Sequence, residues 1–485
     1  MANANELPPI RTKIVATIGP ASRSPAILRQ LIEEGVNIFR LNFSHGTHEE
    51  YSTVLADIRK VSREMDRHVG VLQDLCGPKM RLGPILGDLI ECPLGEEFTL
   101  VVEPSSSANP RELTCSYRGL PNDLKPGESV LFADGTVGMI VTEVGPGWAR
   151  LKVTLPGRLR SRQGLNLPGS NLAVKSLTDK DLLDLNWTAQ HANEVQFVGL
   201  SFVRSADDVA WLRRELQTRN IPARIVVKIE KPQAVQELEA IVAATDGVMV
   251  ARGDLGVEMD VQRVPAIQKR TITLCNQTHR PVITATQMLN SMEHSSRPTR
   301  AEASDVFNAV VDGTDAVMLS GETAIGDYPV EAVTTMRQIC SEAEAFLASN
   351  QRSKTATLAP LTGFVELITE ATVDAACLVT SRLNAPLIVV ATDSGRTALA
   401  LSNRRPSATI LAMTRTEQVA RMLAICWGVT AVVKNESTSA EQEIAFAIAW
   451  ARSRGLVCAG QHVVLLRGQI PGEDRSRAVL AREVR

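Results

Sequence analysis

Eight times along this chain a short run of branched apolar residues closes in glycine and polar side chains and gives way to a stretch of helical periodicity. The runs are KIVATIGP (13–20), VNIFRLNFSHG (36–46), VGVLQDLCG (69–77), EVQFVGLSF (194–202), RIVVKIE (224–230), DGVMVARGD (246–254), PVITATQM (281–288) and DAVMLSGET (315–323). Segments such as SADDVAWLRRELQTR and PQAVQELEAIVAA fill the intervals with apolar residues at helical spacing. Eight strand–helix alternations match a closed parallel (β/α)8 barrel of the TIM type, and the count favours that fold over a doubly wound open sheet.

The alternation is interrupted once. From about Leu82 to Leu172 the chain is rich in Gly and Pro and carries short alternating segments, EFTLVVE, SVLFADG and ARLKVTL, without long helical patterns. This predicts a small β-barrel domain (83–172) inserted after the third strand, the main barrel being built from residues 1–82 and 173–348. The insertion leaves from a strand end, where barrel active sites lie, so it reads as a lid. A polar linker, SNQRSKTATLAP, leads into a third unit over 360–485. There APLIVVATDSG, ATILAMT, GVTAVVK and QHVVLLRG read as strands of a separate C-terminal α/β domain.

Bulk properties exclude several classes of function. A formal net charge of -2 over 485 residues, with basic side chains dispersed, offers no surface for a nucleic-acid partner. Apolar runs are too short to span a membrane, and MANANELPPIRTK lacks a secretory core. Eight cysteines without a C-x-x-C pair imply reduced thiols in a cytoplasmic protein, and seven histidines show no metal-ligand spacing such as H-E-x-x-H.

In a barrel the C-terminal strand ends converge on one mouth, so their polar residues belong to one test. Strand two ends in Arg40, Asn42 and Ser44, strand three in Asp74, strand five in Lys228 and Glu230. Strand six ends in Arg252 and Asp254, strand seven in Thr284 and Thr286, strand eight in Ser320 and Glu322. One such residue alone is ordinarily a solvated strand end or a core ion pair. Several gathered buried charges are costly unless a ligand or metal completes the pairing. Glu230 and Asp254 offer two carboxylates with no thiol or imidazole nearby, which suits Mg²⁺ (or Mn²⁺), an ion that takes further ligands from water and substrate. Arg40 and Lys228 add positive charge, and with the metal they form a clamp for a phosphoryl group in transfer. A Schiff-base role for Lys228 is the rival reading. Gly253 is either a turn residue or a place where a ligand approaches the backbone.

The segments IVATIGPAS, FRLNFSHG, VVKIEKPQAV, VMVARGDLGVE, TATQMLNSM, RPTRAEASDVFNAVVDGTDAVMLSGETAIGDYPVEAV and TDSGRTA together resemble the pyruvate kinase family, in the family's order and over nearly the whole chain. The resemblance implies a barrel with a lid and a C-terminal regulatory domain, and transfer of the phosphoryl group of phosphoenolpyruvate to ADP, giving pyruvate and ATP. It implies that Arg40 contacts the phosphoryl group, Lys228 stabilises it in flight, Glu230 and Asp254 hold Mg²⁺, and Gly253 with Thr286 meets the substrate carboxylate. Thr286 and Ser320 then lie near the route of the proton delivered to the enolate, and Arg81 and His45 match nucleotide-contacting positions. It further implies a homotetramer, RPTRAEASDVF resembling a subunit-contact segment. A non-catalytic paralogue that binds phosphometabolites on the same fold is the alternative.

The chain also departs from the family pattern. Where many relatives read D-T-K-G-P-E-I-R it has DLCGPKMR, with Lys79 in place of the glutamate. Members with the glutamate require K⁺ near residues matching Asn42, Ser44, Asp74 and the carbonyl of Leu75. An ammonium on Lys79 would supply that charge covalently, so activity is expected without K⁺. In RSRQGLNLPG, Arg162 and Gln163 stand near the place of a phosphate-reaching lysine, and Lys175 replaces a usual proline. In the third unit Ser394, Gly395, Arg396 and Thr397 open a helix, either as an ordinary cap or as a phosphate cradle for a phosphorylated effector.

Overall fold

The computed structural model describes residues 10–104, 109–169, 175–350, 365–434, 439–467 and 477–485. All eight apolar runs are strands of one closed barrel: Lys13–Thr17, Val36–Asn42, Gly70–Asp74, Phe197–Leu200, Arg224–Ile229, Gly247–Ala251, Val282–Ala285 and Ala316–Leu319. They follow one another round the ring in chain order, every pairing is parallel, and the first closes on the eighth through Lys13↔Ala316 to Ala16↔Leu319.

Strand side chains alternate between the barrel axis and the surrounding helices. Ile14, Phe39, Leu41, Val71 and Val317 lie in a buried cluster with the outer helices, whereas Ile38, Leu72, Val226, Met249, Ile283 and Met318 belong to a different one. Two residues further along this second set come Arg40, Asp74, Lys228, Ala251, Ala285 and Ser320. A single period-two pattern thus runs from an apolar base to a partly charged mouth. Capping boxes at Thr47/Glu50, Thr178/Asp181 and Thr299/Glu302 start three of the helices by satisfying their first N–H groups.

Two strand ends differ from the sequence expectation. The sixth strand stops at Ala251, and Arg252–Glu258 winds into a short helix; the eighth stops at Leu319, and Gly321–Ala324 does the same. The β-branched side chains that fill a pleated surface run out at Val250 and Val317, so nothing extends the strands further. Arg252, Asp254 and Glu322 therefore sit on helical turns above the mouth.

The chain leaves the barrel through Met80–Arg81 and returns through Gly164–Asn166, and these two segments pair antiparallel at the edge of a seven-stranded sheet. That sheet has its own core, with Phe98, Leu100, Val130, Phe132, Met139 and Leu151 buried. The C-terminal unit is a five-stranded sheet in the order Val429–Val433, Thr409–Thr414, Leu387–Ala391, His462–Arg467, Ala478–Glu483. Its last strand is antiparallel and mostly exposed, and the charged residues of AVLARE hide its pattern in the sequence.

This unit docks on the barrel's base. Buried Lys13 donates to the Val429 carbonyl at 2.7 Å, Arg405 donates to Asp315 Oδ1 at 2.8 Å, and Arg224 donates to the Ser394 carbonyl at 3.2 Å. All eight cysteines are free thiols, and among the described residues no helix is long and apolar enough to cross a membrane.

Candidate active site

Four charged side chains from three strands form the floor of the mouth. Asp74 Oδ2 accepts from Arg40 Nε at 2.7 Å, and lies 2.6 Å from Arg40 Nη2 and 3.4 Å from Lys228 Nζ. Lys228 Nζ also lies 2.8 Å from Glu230 Oε1 and donates to Ser201 Oγ at 3.1 Å. Arg40 is braced from the first strand, its Nη1 donating to Thr17 Oγ1 at 3.0 Å. A Cβ on Gly199 would stand 3.0 Å from Asp74 Oδ1, so the fourth strand passes this carboxylate with a glycine.

Charge pairing outweighs burial for two of these groups. Burial alone would raise the Asp74 carboxyl, yet Lys228 and Arg40 hold it below its ordinary value. Burial would lower the Lys228 ammonium, but Asp74 and Glu230 keep it above its ordinary value, which favours the charged form.

Glu230 behaves differently. Burial raises its carboxyl, and although Lys228 lowers it, nearby Asp254 pushes it up again, leaving it raised. Its Oε2 accepts from the Phe202 N–H at 2.9 Å, and its Oε1 is paired with the Lys228 ammonium at 2.8 Å. A buried carboxylate whose proton affinity is raised by burial and by a second carboxylate is the environment a hard cation relieves. Among the described residues no three His, Cys, Asp or Glu side chains are grouped to hold a metal ion. An ion at Glu230 and Asp254 would therefore take its remaining ligands from water and, once bound, from substrate.

At the next corner the Gly253 N–H donates to Thr286 Oγ1 at 2.7 Å, and that hydroxyl donates to the Ala285 carbonyl at 2.7 Å. Thr286 and Gln287 both have positive φ, 66° and 54°, an expensive conformation for a β-branched residue. Arg252 holds it in place. Its guanidinium donates to the Thr286 carbonyl at 2.8 Å and is paired with Asp305 at 2.6 Å. Glu322 likewise serves the backbone, accepting from the N–H groups of Ser320 at 2.7 Å and Leu289 at 3.1 Å. Ser320 Oγ is buried and has no hydrogen-bond partner.

Of the residues matched to a monovalent-cation site, Asn42 Oδ1 accepts from the Ser44 N–H at 3.3 Å and the Leu75 carbonyl accepts from Ser201 Oγ at 2.6 Å. Lys79 is exposed and lines the cleft between lid and barrel with Met80, Asn166, Phe202 and Asp254. His45 is exposed at the start of the following helix; partial burial and then Arg81, Lys79 and Arg40 lower its imidazole pKa. Arg81 donates to the Arg162 carbonyl at 3.2 Å, and the Gln163 side chain is turned onto the Arg160 N–H. Lys175 Nζ lies 5.6 Å from the centre of the Trp211 ring. Ser394 to Thr397 are remote from this mouth in the C-terminal unit, where Gly395 (φ 80°) precedes the helix Arg396–Asn403.

Sequence reasoning passed over Ser201 and Phe202 at the end of the fourth strand, and Thr17 in the first. The signal for the first two is positional, since they follow GL at the height where the neighbouring strand carries Lys228.

A closed parallel barrel whose mouth gathers Arg40 and Lys228 beside paired carboxylates, under a lid, is built to receive an anionic ligand. Comparison with known proteins narrows the class. The family model of the pyruvate kinase barrel domain matches residues 10–333, and that of the pyruvate kinase alpha/beta domain residues 370–479. Pyruvate kinases of Staphylococcus epidermidis and Staphylococcus aureus are each 40% identical over 465 residues, 96% of this chain and 78% of theirs. The crystal structure of a pyruvate kinase from Cryptosporidium parvum superposes with a TM-score of 0.88 at 35% identity, over 99% of this chain and 97% of that one. The chain belongs to the pyruvate kinase family, and so to the phosphotransferases.

Proposed function

We propose that the protein transfers the phosphoryl group of phosphoenolpyruvate to ADP, giving pyruvate and ATP, with Mg²⁺ at Glu230 and Asp254 and without a need for K⁺. The observation that carries this reading is the Lys228 ammonium, favoured in its charged form between Asp74 and Glu230 and flanked by Arg40. Phosphoryl transfer demands positioning and charge neutralisation more than a nucleophile. A raised ammonium suits that task and opposes a Schiff base, which needs a neutral amine.

Mg²⁺, when bound, supplies Lewis-acid neutralisation of phosphoryl and enolate oxygens. Arg40 and Lys228 bind the phosphoryl oxygens, and Asp74 keeps both side chains aimed. Gly253 and Thr286 orient the substrate carboxylate. The enolate left behind takes a proton at carbon; Ser320 Oγ, buried and unengaged, is better placed to pass one on from solvent than Thr286 Oγ1, which already donates to a carbonyl. Arg81 and His45 meet the nucleotide. Lys79, on the cleft between lid and barrel, serves as a built-in monovalent charge. Ser394–Thr397 accept a phosphorylated effector, and the active assembly is a cytoplasmic homotetramer.

A lactate dehydrogenase-coupled assay tests the reading. Pyruvate is expected only when phosphoenolpyruvate, ADP and Mg²⁺ are all present. No pyruvate under any such condition would leave the non-catalytic paralogue.

A further inference from the structure

Glu258 is a carboxylate that the strand-end pattern does not reveal. It closes the helix Arg252–Glu258, one turn beyond Asp254. Its side chain is 0% exposed, and one oxygen, Oε1, accepts both from Lys231 Nζ at 2.6 Å and from Asn166 Nδ2 at 2.9 Å. The other, Oε2, is buried without a donor. Lys231 directly follows Glu230, and its ammonium lies 5.4 Å from the centre of the Phe202 ring, the residue whose N–H holds Glu230. Asn166 ends the strand Gly164–Asn166 by which the lid returns to the barrel.

We propose that Glu258 is a positioning residue: it fixes the spacing of Glu230 and Asp254 and makes that spacing depend on where the lid stands. The inference rests on the proposed function. Its physical basis is that one oxygen joins three elements, two of which carry the carboxylates that would hold the ion. The third is the strand by which the lid returns to the barrel. A buried acid with one unsatisfied oxygen is a poor device for stability alone, because an apolar side chain would pack there at less cost. Groups that orient metal-binding carboxylates usually change metal affinity by about 10-fold to 100-fold when removed.

The test is Mn²⁺ binding to the full-length, nucleotide-free protein, followed by electron paramagnetic resonance, together with the steady-state constants for ADP. Glu258→Gln is expected to weaken Mn²⁺ binding about 10-fold. Lys231→Arg, which keeps the charge, is expected to bind within about twofold of the parent, and Lys231→Met to resemble Glu258→Gln. Asn166→Ala leaves the buried ion pair intact and decides the matter if Glu258→Gln fails to fold. It is expected to raise KM for ADP at least about threefold with little change in kcat, and to weaken Mn²⁺ binding measurably. Unchanged Mn²⁺ affinity in Asn166→Ala and in any folded Glu258→Gln, with stability alone affected, would overturn the proposal. Glu230→Gln is the control: if it leaves Mn²⁺ binding intact, the assignment of the ion itself fails, and this inference with it.

Discussion

At the scale of single residues, Lys79 stands where the family resemblance leads one to expect glutamate. Its ammonium lines the cleft below the lid and helps hold the His45 imidazole below its ordinary pKa, after burial and Arg81. Lys79→Glu removes one charge and introduces its opposite, so two effects are expected together. The His45 imidazole should titrate at higher pH, seen in its ring resonances by NMR. The coupled rate should become dependent on K⁺ when potassium is compared with a bulky ammonium salt. An unmoved His45 and equal rates in both salts would show that the side chain merely faces solvent. The charges that meet in the candidate site were legible in the sequence where charge interrupts an apolar strand, as at Arg40, Asp74, Lys228 and Glu230. Ser201, Phe202 and Thr17 were not, because hydroxyls and backbone N–H groups at strand ends leave no such interruption.

At the scale of elements, the corner after the seventh strand shows how a strained segment is kept in place. Thr286 and Gln287 adopt left-handed backbone angles, and the Arg252 fork grips the Thr286 carbonyl while its charge is taken up by Asp305. Lysine would keep the charge but lose the fork. Arg252→Lys is expected to lower kcat about tenfold and to cost about 1–3 kcal/mol in a denaturant titration, since buried polar groups lose their partner. A variant with wild-type kcat and stability would show that the corner holds itself. The alternation of strand and helix was legible because each run matches its own period, yet its C-terminal bounds were not. In VMVARGDLGVE nothing marks the change from strand to helix at Ala251 except the loss of β-branching. That is why Arg252 read as part of the mouth, although its guanidinium is bound to backbone carbonyls.

At the scale of the whole molecule, the barrel base and the C-terminal unit share one apolar cluster, which joins Val15, Ile38 and Met318 to Ile388, Ile410 and Leu423, while the lid has a core of its own. Lys13 lies at this junction, and burial, against weaker support from Cys426 and Glu344, lowers its ammonium to about 8. The unfolded lysine titrates at its ordinary value of 10.5, so between about 8 and 10.5 the unfolded chain binds more protons than the native one and stability rises with pH. The rise is at most about 3 kcal/mol. Denaturant titrations at pH 7.5 and 9.5 should show it as a gain of the parent relative to Lys13→Met, because buried thiols such as Cys275 and Cys340, whose pKa values burial raises, act in both proteins with the opposite sign; equal changes in both would discount it. The changes of texture coincide with separate sheets in the inserted and C-terminal segments, whereas the docking was not legible, because carbonyl partners such as Val429 carry no sequence signal. The account as a whole stands on the Lys228 cation at the barrel mouth, and the kcat of Lys228→Met in the coupled assay tests it most directly. The expected result is a loss of about 10²-fold to 10³-fold with native circular dichroism, as when a central electrostatic contact to a transition state is deleted. A folded Lys228→Met protein that turns over within tenfold of the parent would contradict it.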